Sequence, residues 1–242
     1  MKILAIDSSG LIASAALATE DAVLAEYTTN YKKTHSQTLL PMIDEIVKMT
    51  ETNLSELDAI AVTAGPGSFT GLRIGSATAK GLGQALEKPL IAVPTTEVLA
   101  WNFCGSEEVL CPLMDARRSQ VYTGLYRWNK ETGSMDCLTE QKAVAVEEII
   151  AEVNHLGLPV IFLGDGADAY HAVLEEKTEV DYSFAPVHMS KQRAASLAAC
   201  AFIYAKAGKL QTAAEFVPTY LRKSQAERER EEKERAEQST GK

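Results

Sequence analysis

Cysteine and histidine are scarce in this sequence, four of each in 242 residues, and neither is grouped. Cys104, Cys111, Cys137 and Cys200 form no C-x-x-C pair, and His35, His155, His171 and His188 form neither H-x-x-x-H nor H-E-x-x-H. That spacing gives no recognisable zinc or iron site, so no metal ligands are assigned and zinc-peptidase chemistry is excluded. The thiols are expected to be reduced and mostly core filler. Long hydrophobic runs are missing as well: nothing approaches the roughly 20 apolar residues that span a bilayer. In the opening MKILAIDSSG, Asp7 interrupts the apolar stretch before it makes a signal-peptide core. The expectation is a cytoplasmic protein without membrane contact.

Positive charge is also in short supply where it would matter. The formal net charge is −9, and residues 222–242 hold seven Lys/Arg against six Glu. Residues 1–221 therefore carry seventeen basic and twenty-seven acidic residues, a net of −10. Nucleic-acid binders present clustered Lys and Arg that release counterions from phosphates, and this body has no such cluster. Strong direct binding to RNA or DNA is not expected. The 222–242 tail has almost no apolar residues, which predicts disorder or a frayed, solvated helix.

What is present is an α/β pattern that runs twice. KILAIDSS is an apolar run ending in Asp7, and SAALAT and AVLAEYT flank a Thr-Glu-Asp turn, predicting a three-strand meander. THSQTLLPMIDEIVKMT has helical periodicity with Thr34 or Ser36 as N-cap, and Pro41 should kink it or lie near its first turn. LDAIAVTAG is a strand entering a Gly-Pro-Gly turn, a glycine-rich helix follows, and PLIAVPT is the next strand. VLCPLMDARRSQVYTGLYRW then repeats the opening with Asp115 at a strand end, VEEIIAEVNHL is a helix, and PVIFLGDGADAY is a strand into a Gly-Asp-Gly turn. A long helix, SKQRAASLAACAFIYAKAG, closes the body with Ser190 as its predicted cap. The predicted organisation is two α/β lobes, residues 1–104 and 105–221, with a duplicated meander-helix-strand-helix unit and the final helix able to pack back on the first lobe.

Three segments have residues suited to chemistry. Asp7-Ser8-Ser9-Gly10 offers a carboxylate, hydroxyls and amides at one turn, which suits a phosphate or a metal-bound phosphate, but alone it is better read as an Asx turn satisfying its own backbone. Gly65-Pro66-Gly67-Ser68 stands between a strand and a helix, where amides attract anions, yet it matches neither G-x-x-x-x-G-K-[ST] nor G-x-G-x-x-G. Ser68 lacks the G-x-S-x-G setting and an identifiable base, so an N-cap role is expected rather than a nucleophile. Arg117 and Arg118 read as the tip of a solvated hairpin.

The glycine helix poses the sharper problem. Gly71, Gly75, Ala79 and Gly83 recur every fourth residue, and each interior glycine costs a helix about 1 kcal/mol relative to alanine. A bare face gains most where another backbone comes close. Packing on the chain's own sheet is one solution. The other, and the one expected, is an intermolecular interface made with Arg73 and the preceding helix, through His35, Leu39, Leu40, Ile43 and Ile46.

The runs ILAIDSS, HSQTLLPMIDEI, TAGPGSFTGLRIGSATAKGLG, IAVPTTEVLA, MDARRSQVY, FLGDGA and PTYLR together resemble the bacterial TsaB family, also called YeaZ-like, over residues 1 to about 225. GPGSFTGLRIG is the specific signature; IDSS and GDGA alone are weak. The resemblance implies an actin-like, sugar-kinase-like (ASKHA) two-lobed fold. It implies a non-catalytic subunit that supports TsaD in forming N6-threonylcarbamoyladenosine at position 37 of tRNAs reading ANN codons. TsaE and the adenylate-forming TsaC or its Sua5-type homologue complete that pathway, and a homodimer is an alternative assembly. Asp7, Ser8, Ser9, Gly65, Gly67 and Ser68 become remnants of an ancestral nucleotide cleft, with no intrinsic cofactor and with ATP or ADP and magnesium only at a shared interface. The competing expectation is an active phosphotransferase or ATPase of the same fold, using Asp7 with Asp115 or Asp165.

Overall fold

The computed structural model describes residues 1–31 and 33–222; the charged tail, apart from Arg222, lies outside the described residues. The first unit runs β1 (Lys2–Asp7), β2 (Ala13–Thr19), β3 (Val23–Thr29), α1 (His35–Met49), β4 (Ala59–Gly65), α2 (Phe69–Ala85), β5 (Leu90–Pro94) and α3 (Thr95–Ala100). The second runs β6 (Val109–Arg117), β7 (Gln120–Asn129), β8 (Ser134–Ala145), α4 (Val146–Leu156), β9 (Val160–Leu163), α5 (Asp165–Ala169), α6 (His171–Lys177), β10 (Tyr182–Phe184) and α7 (Ala194–Lys206).

The two sheets have one topology. In the first the strand order is β3-β2-β1-β4-β5, and in the second β8-β7-β6-β9-β10. Each begins as an antiparallel meander and continues with two parallel strands on the other side of the first. This is the α/β, duplicated, actin-like architecture. Residues on alternate sides of a strand serve different cores. Leu4, Ile6, Ala15 and Leu17 face α1 and α2, while Ile3, Ala5, Ala16 and Ala18 face α7. Because both faces are covered, β1 and β2 read as nearly unbroken apolar runs, as buried strands do.

The helices that close each unit cross between the sheets. From α3, Val98 joins the first core, whereas Leu99 and Ala100 pack on the second sheet beside Met114 and Leu110. Helix α7 belongs by sequence to the second unit, yet Leu197, Ala198 and Ala201 pack on the first sheet. Its start corrects the expected Ser190 cap. The helix begins four residues later, and its free amides are taken by other elements: Ser14 Oγ on β2 accepts from Ala194 N at 2.9 Å, and Glu26 on β3 accepts from Ala195 N at 2.9 Å. Ser190 instead gives its carbonyl to Gly164 N at 2.7 Å.

Helix α1 has Thr34 at the N-cap position without a side-chain cap bond, and it continues through Pro41. Cys111 and Cys200 are buried, with burial pushing both thiols up, whereas Cys104 and Cys137 are exposed, so core filling describes two of the four. Among the described residues, no helix is long and apolar enough to cross a membrane.

Candidate functional site

Between the lobes opens a cleft of about 570 Å³, lined from the first lobe by Ser9, Gly67 and Ser68 and from the second by Asp115, Arg117 and Asp165. Each lobe contributes the turn that follows its first strand. Asp7 ends β1, and Asp115 lies near the end of β6. The same local bond recurs at both: Ser9 N donates to Asp7 Oδ1 and Arg117 N donates to Asp115 Oδ1, each at 2.8 Å. This Asx turn follows from a short carboxylate two residues before a free amide.

The first-lobe turn is filled by the chain itself. Asp7 is fully buried, and its Oδ1 also accepts from Ser9 Oγ at 2.7 Å and Thr63 Oγ1 at 3.1 Å. Burial pushes its carboxyl pKa up, against the lowering effect of these bonds, while Oδ2 is buried without a partner. Ser8 Oγ donates to the Gly71 carbonyl at 2.8 Å, and Ser68 N donates to the Ser9 carbonyl at 2.7 Å. Ser68 also caps α2, its Oγ accepting from Gly71 N at 3.2 Å. The Asp7–Gly10 and Gly65–Ser68 turns are thus brought together, but bonded to each other, and two of the amides that could have met an anion are occupied.

This arrangement explains the glycine stripe and corrects its expected role. A methyl group on Gly71 would stand 2.0 Å from the Ser8 carbonyl oxygen, and one on Gly67 would stand 2.3 Å from that of Ser9. On Gly75 it would meet Ser8 Oγ at 2.5 Å, and on Gly83 the Leu90 side chain at 2.9 Å. The close-approaching backbone is the chain's own β1–β2 turn. Gly71, Gly75, Ala79 and Gly83 are buried within the single chain, as are Leu39, Ile43 and Ile46 on α1. Of the expected interface residues, Leu40 is 53% exposed, Arg73 is exposed, and His35 is half-buried. His35 donates from Nε2 to the Gly10 carbonyl at 2.8 Å, and the Arg73 guanidinium stacks 4.0 Å over Phe69.

The second-lobe turn is more open. Tyr170 donates its hydroxyl to Asp115 Oδ1 at 3.1 Å, and Asp115 N donates to Asp165 Oδ1 at 3.2 Å. Burial raises the Asp165 carboxyl, opposed by Lys191, which bonds the Gly164 carbonyl at 3.1 Å and the Asp168 carboxylate. Thr63, Tyr170 and Lys191 were missed in the sequence because each lies more than twenty residues from its partner, beyond any local spacing rule. Among the described residues no group of three His, Cys, Asp or Glu stands together as a metal site.

Two lobes of one topology, each presenting an Asp-bearing turn to a shared cleft, define a protein of the actin-like, sugar-kinase-like class. A family model described as "TsaD: tRNA N6-adenosine threonylcarbamoyltransferase" matches residues 22–230. The tRNA threonylcarbamoyladenosine biosynthesis protein TsaB of Bacillus subtilis is 34% identical over 94% of this chain and 96% of its own length. TsaB of Escherichia coli is 34% identical over 70% of this chain and 74% of its own. The structure of YeaZ from Pseudomonas aeruginosa superposes with a TM-score of 0.75 at 27% identity, covering 91% of this chain and 99% of that one. The chain belongs to the TsaB family.

Proposed function

We propose that this protein is a non-catalytic subunit of tRNA threonylcarbamoyladenosine biosynthesis that binds and supports TsaD. One observation carries the non-catalytic part: in the first lobe, the turn pair suited to phosphate is bonded to itself, with the amide donors Ser68 N and Ser9 N taken by the Ser9 carbonyl and by Asp7 Oδ1. A group held in this way has little capacity left for a nucleotide phosphate. The acidic body supports delegating tRNA contact to a partner, and ATP or ADP with magnesium would then sit at a shared interface, where TsaE acts. A TsaC-type enzyme takes part through the pathway, in the cytoplasm, without contact to this chain.

The docking face would be the solvent side of α1 and α2. Leu40 is 53% exposed on α1 and Arg73 is exposed on α2, where its guanidinium lies over Phe69. Arginine and aromatic side chains are enriched at interfaces. The same face could join two copies of this chain. Light scattering after gel filtration, on this protein alone and with TsaD, tests the reading: a heterocomplex is expected, and Leu40→Glu with Arg73→Glu should weaken it at least about tenfold while leaving the fold intact. Failure of the wild-type protein to associate, with or without nucleotide, overturns it.

The second reading, an ATPase of this fold, draws on the open second-lobe turn with Asp115 and Asp165 in the cleft. Turnover by the isolated protein that Asp7→Asn abolishes would establish it.

A further inference from the structure

After α7 the described residues run back along the first lobe to the mouth of the cleft, where Arg222 lies. Leu90 and Gln211 exchange backbone bonds at 2.8 and 3.0 Å, and Lys80 Nζ holds the Phe216 carbonyl at 2.9 Å. Phe216 is buried in the first-lobe core, and Thr219 N donates to the Ala64 carbonyl at 2.7 Å. Next to Gly65, the fit is so close that a methyl group there would meet the Thr219 carbonyl at 2.4 Å. Tyr220 then packs on Phe69 at 4.7 Å between ring centres, and Arg222 reaches the other lobe, donating from Nη1 to the Ala116 carbonyl at 2.5 Å. Residues 211–220 are thus anchored on one lobe, and the next anchor is on the other.

The turn that receives Arg222 is itself strained. Arg117, Arg118 and Ser119 have φ of 65°, 58° and 56°, three successive side-chain-bearing residues in the left-handed region. Such conformations persist only where surrounding bonds over-determine them. Here those bonds are Arg117 N to Asp115 Oδ1, Val146 N to the Ser119 carbonyl at 3.2 Å, and Arg222 to the Ala116 carbonyl. Two arise within the second lobe. The third alone comes from the strap.

We infer that residues 216–222 form a latch across the cleft, in which Arg222 ties the strained second-lobe turn to the first lobe and sets how far the lobes can part. Releasing it relaxes the turn and widens the cleft that holds Ser9, Ser68, Asp115 and Asp165. The latch does not depend on TsaD binding, since every contact lies within this chain, and its test uses the protein alone.

The experiment compares wild type, Arg222→Ala and Tyr220→Ala by hydrogen exchange and by spin-label distances between Gln84→Cys and Ala151→Cys, with the exposed Cys104 and Cys137 replaced by serine. Loss of one charge-assisted bond should speed exchange in the 115–121 segment by about tenfold and broaden the interlobe distance, with strand β1 still as protected as in wild type. Tyr220→Ala should do the same to a smaller degree while retaining the Arg222 side chain. Unchanged exchange and distance in both variants overturn the latch. Uniformly faster exchange, β1 included, also overturns it, because that result assigns the strap a role in global stability only. Should Arg222→Ala not fold, Arg222→Lys, which keeps the charge but loses the fork, is read against the same two outcomes.

Discussion

Gly71 and Gly81 lie on one helix and should answer replacement by alanine in opposite senses. At Gly71 the new methyl meets the Ser8 carbonyl at 2.0 Å, a backbone atom that can yield only by moving the β1–β2 turn. Overpacking of this kind costs about 1–3 kcal/mol. At Gly81 no atom lies within 4 Å, so Gly81→Ala gains roughly 0.8–1 kcal/mol of helix propensity. Urea denaturation of the two variants checks both signs, and a stable Gly71→Ala protein would remove the close-approach account. A larger side chain at Gly75 should also destabilise, since even a methyl there meets Ser8 Oγ at 2.5 Å. Asp7 gives a pH dependence. Its native pKa lies above the ordinary aspartate value, chiefly through burial, so over that window the native state keeps a proton that the unfolded chain has released. Stability contributed by this group is therefore highest below the unfolded pKa and falls as pH rises through the window. Asp7→Asn should flatten that part of the stability profile measured by denaturation at a series of pH values; an unaltered slope would show that Asp7 does not set it.

At the scale of elements, α7 shows how a helix terminus can be decided at a distance. The sequence offers Ser190 as a local cap, but the amides of Ala194 and Ala195 are met by Ser14 and Glu26 from two strands more than 160 residues away. Ser14→Ala should therefore cost about 1 kcal/mol, as loss of an N-cap does, whereas Ser190→Ala should be nearly neutral, because its contribution here is the backbone carbonyl. Thermal melts of the two variants separate them; equal losses would return the cap to Ser190. Helix α2 is the contrary case. Ser68 follows a Gly-Pro-Gly turn, precedes an apolar-periodic run, and caps its own helix, so sequence spacing was sufficient. The β1 and β6 strands were likewise legible, because unbroken apolar runs ending in aspartate leave few alternatives to a buried strand.

For the whole molecule, the crossing of α3 and α7 makes the lobes interdependent. One face of the first sheet, formed by Ile3, Ala5, Ala16 and Ala61, is covered mainly by α7 from the far end of the described chain. A fragment of residues 1–104 would leave that face in water, losing apolar burial worth about 25 cal/mol per Å². It should fail to give a cooperative transition by circular dichroism, while full-length protein gives one; a cooperatively folding fragment would show the lobes to be independent.

The sequence by itself determined the meander, helices and strands of the first unit and their repetition in the second, but not β8, α5, α6 or β10. Hydrophobic periodicity and turn residues are local, and they carried the reading from Met1 to the last helix. The cleft's composition was partly legible too, since Ser9, Gly67 and Ser68 were named from their turns and do line it, whereas Asp7 is fully buried. Only the tertiary structure decided which way the glycine stripe faces. Periodicity states that one helix face is bare, but not whether the backbone approaching it belongs to the same chain, and here it is the Ser8 carbonyl. It likewise decided the caps of α7, the exchange of helices between lobes and the contact from Arg222 to Ala116. These depend on groups far apart in the chain, which meet only once the two sheets have packed.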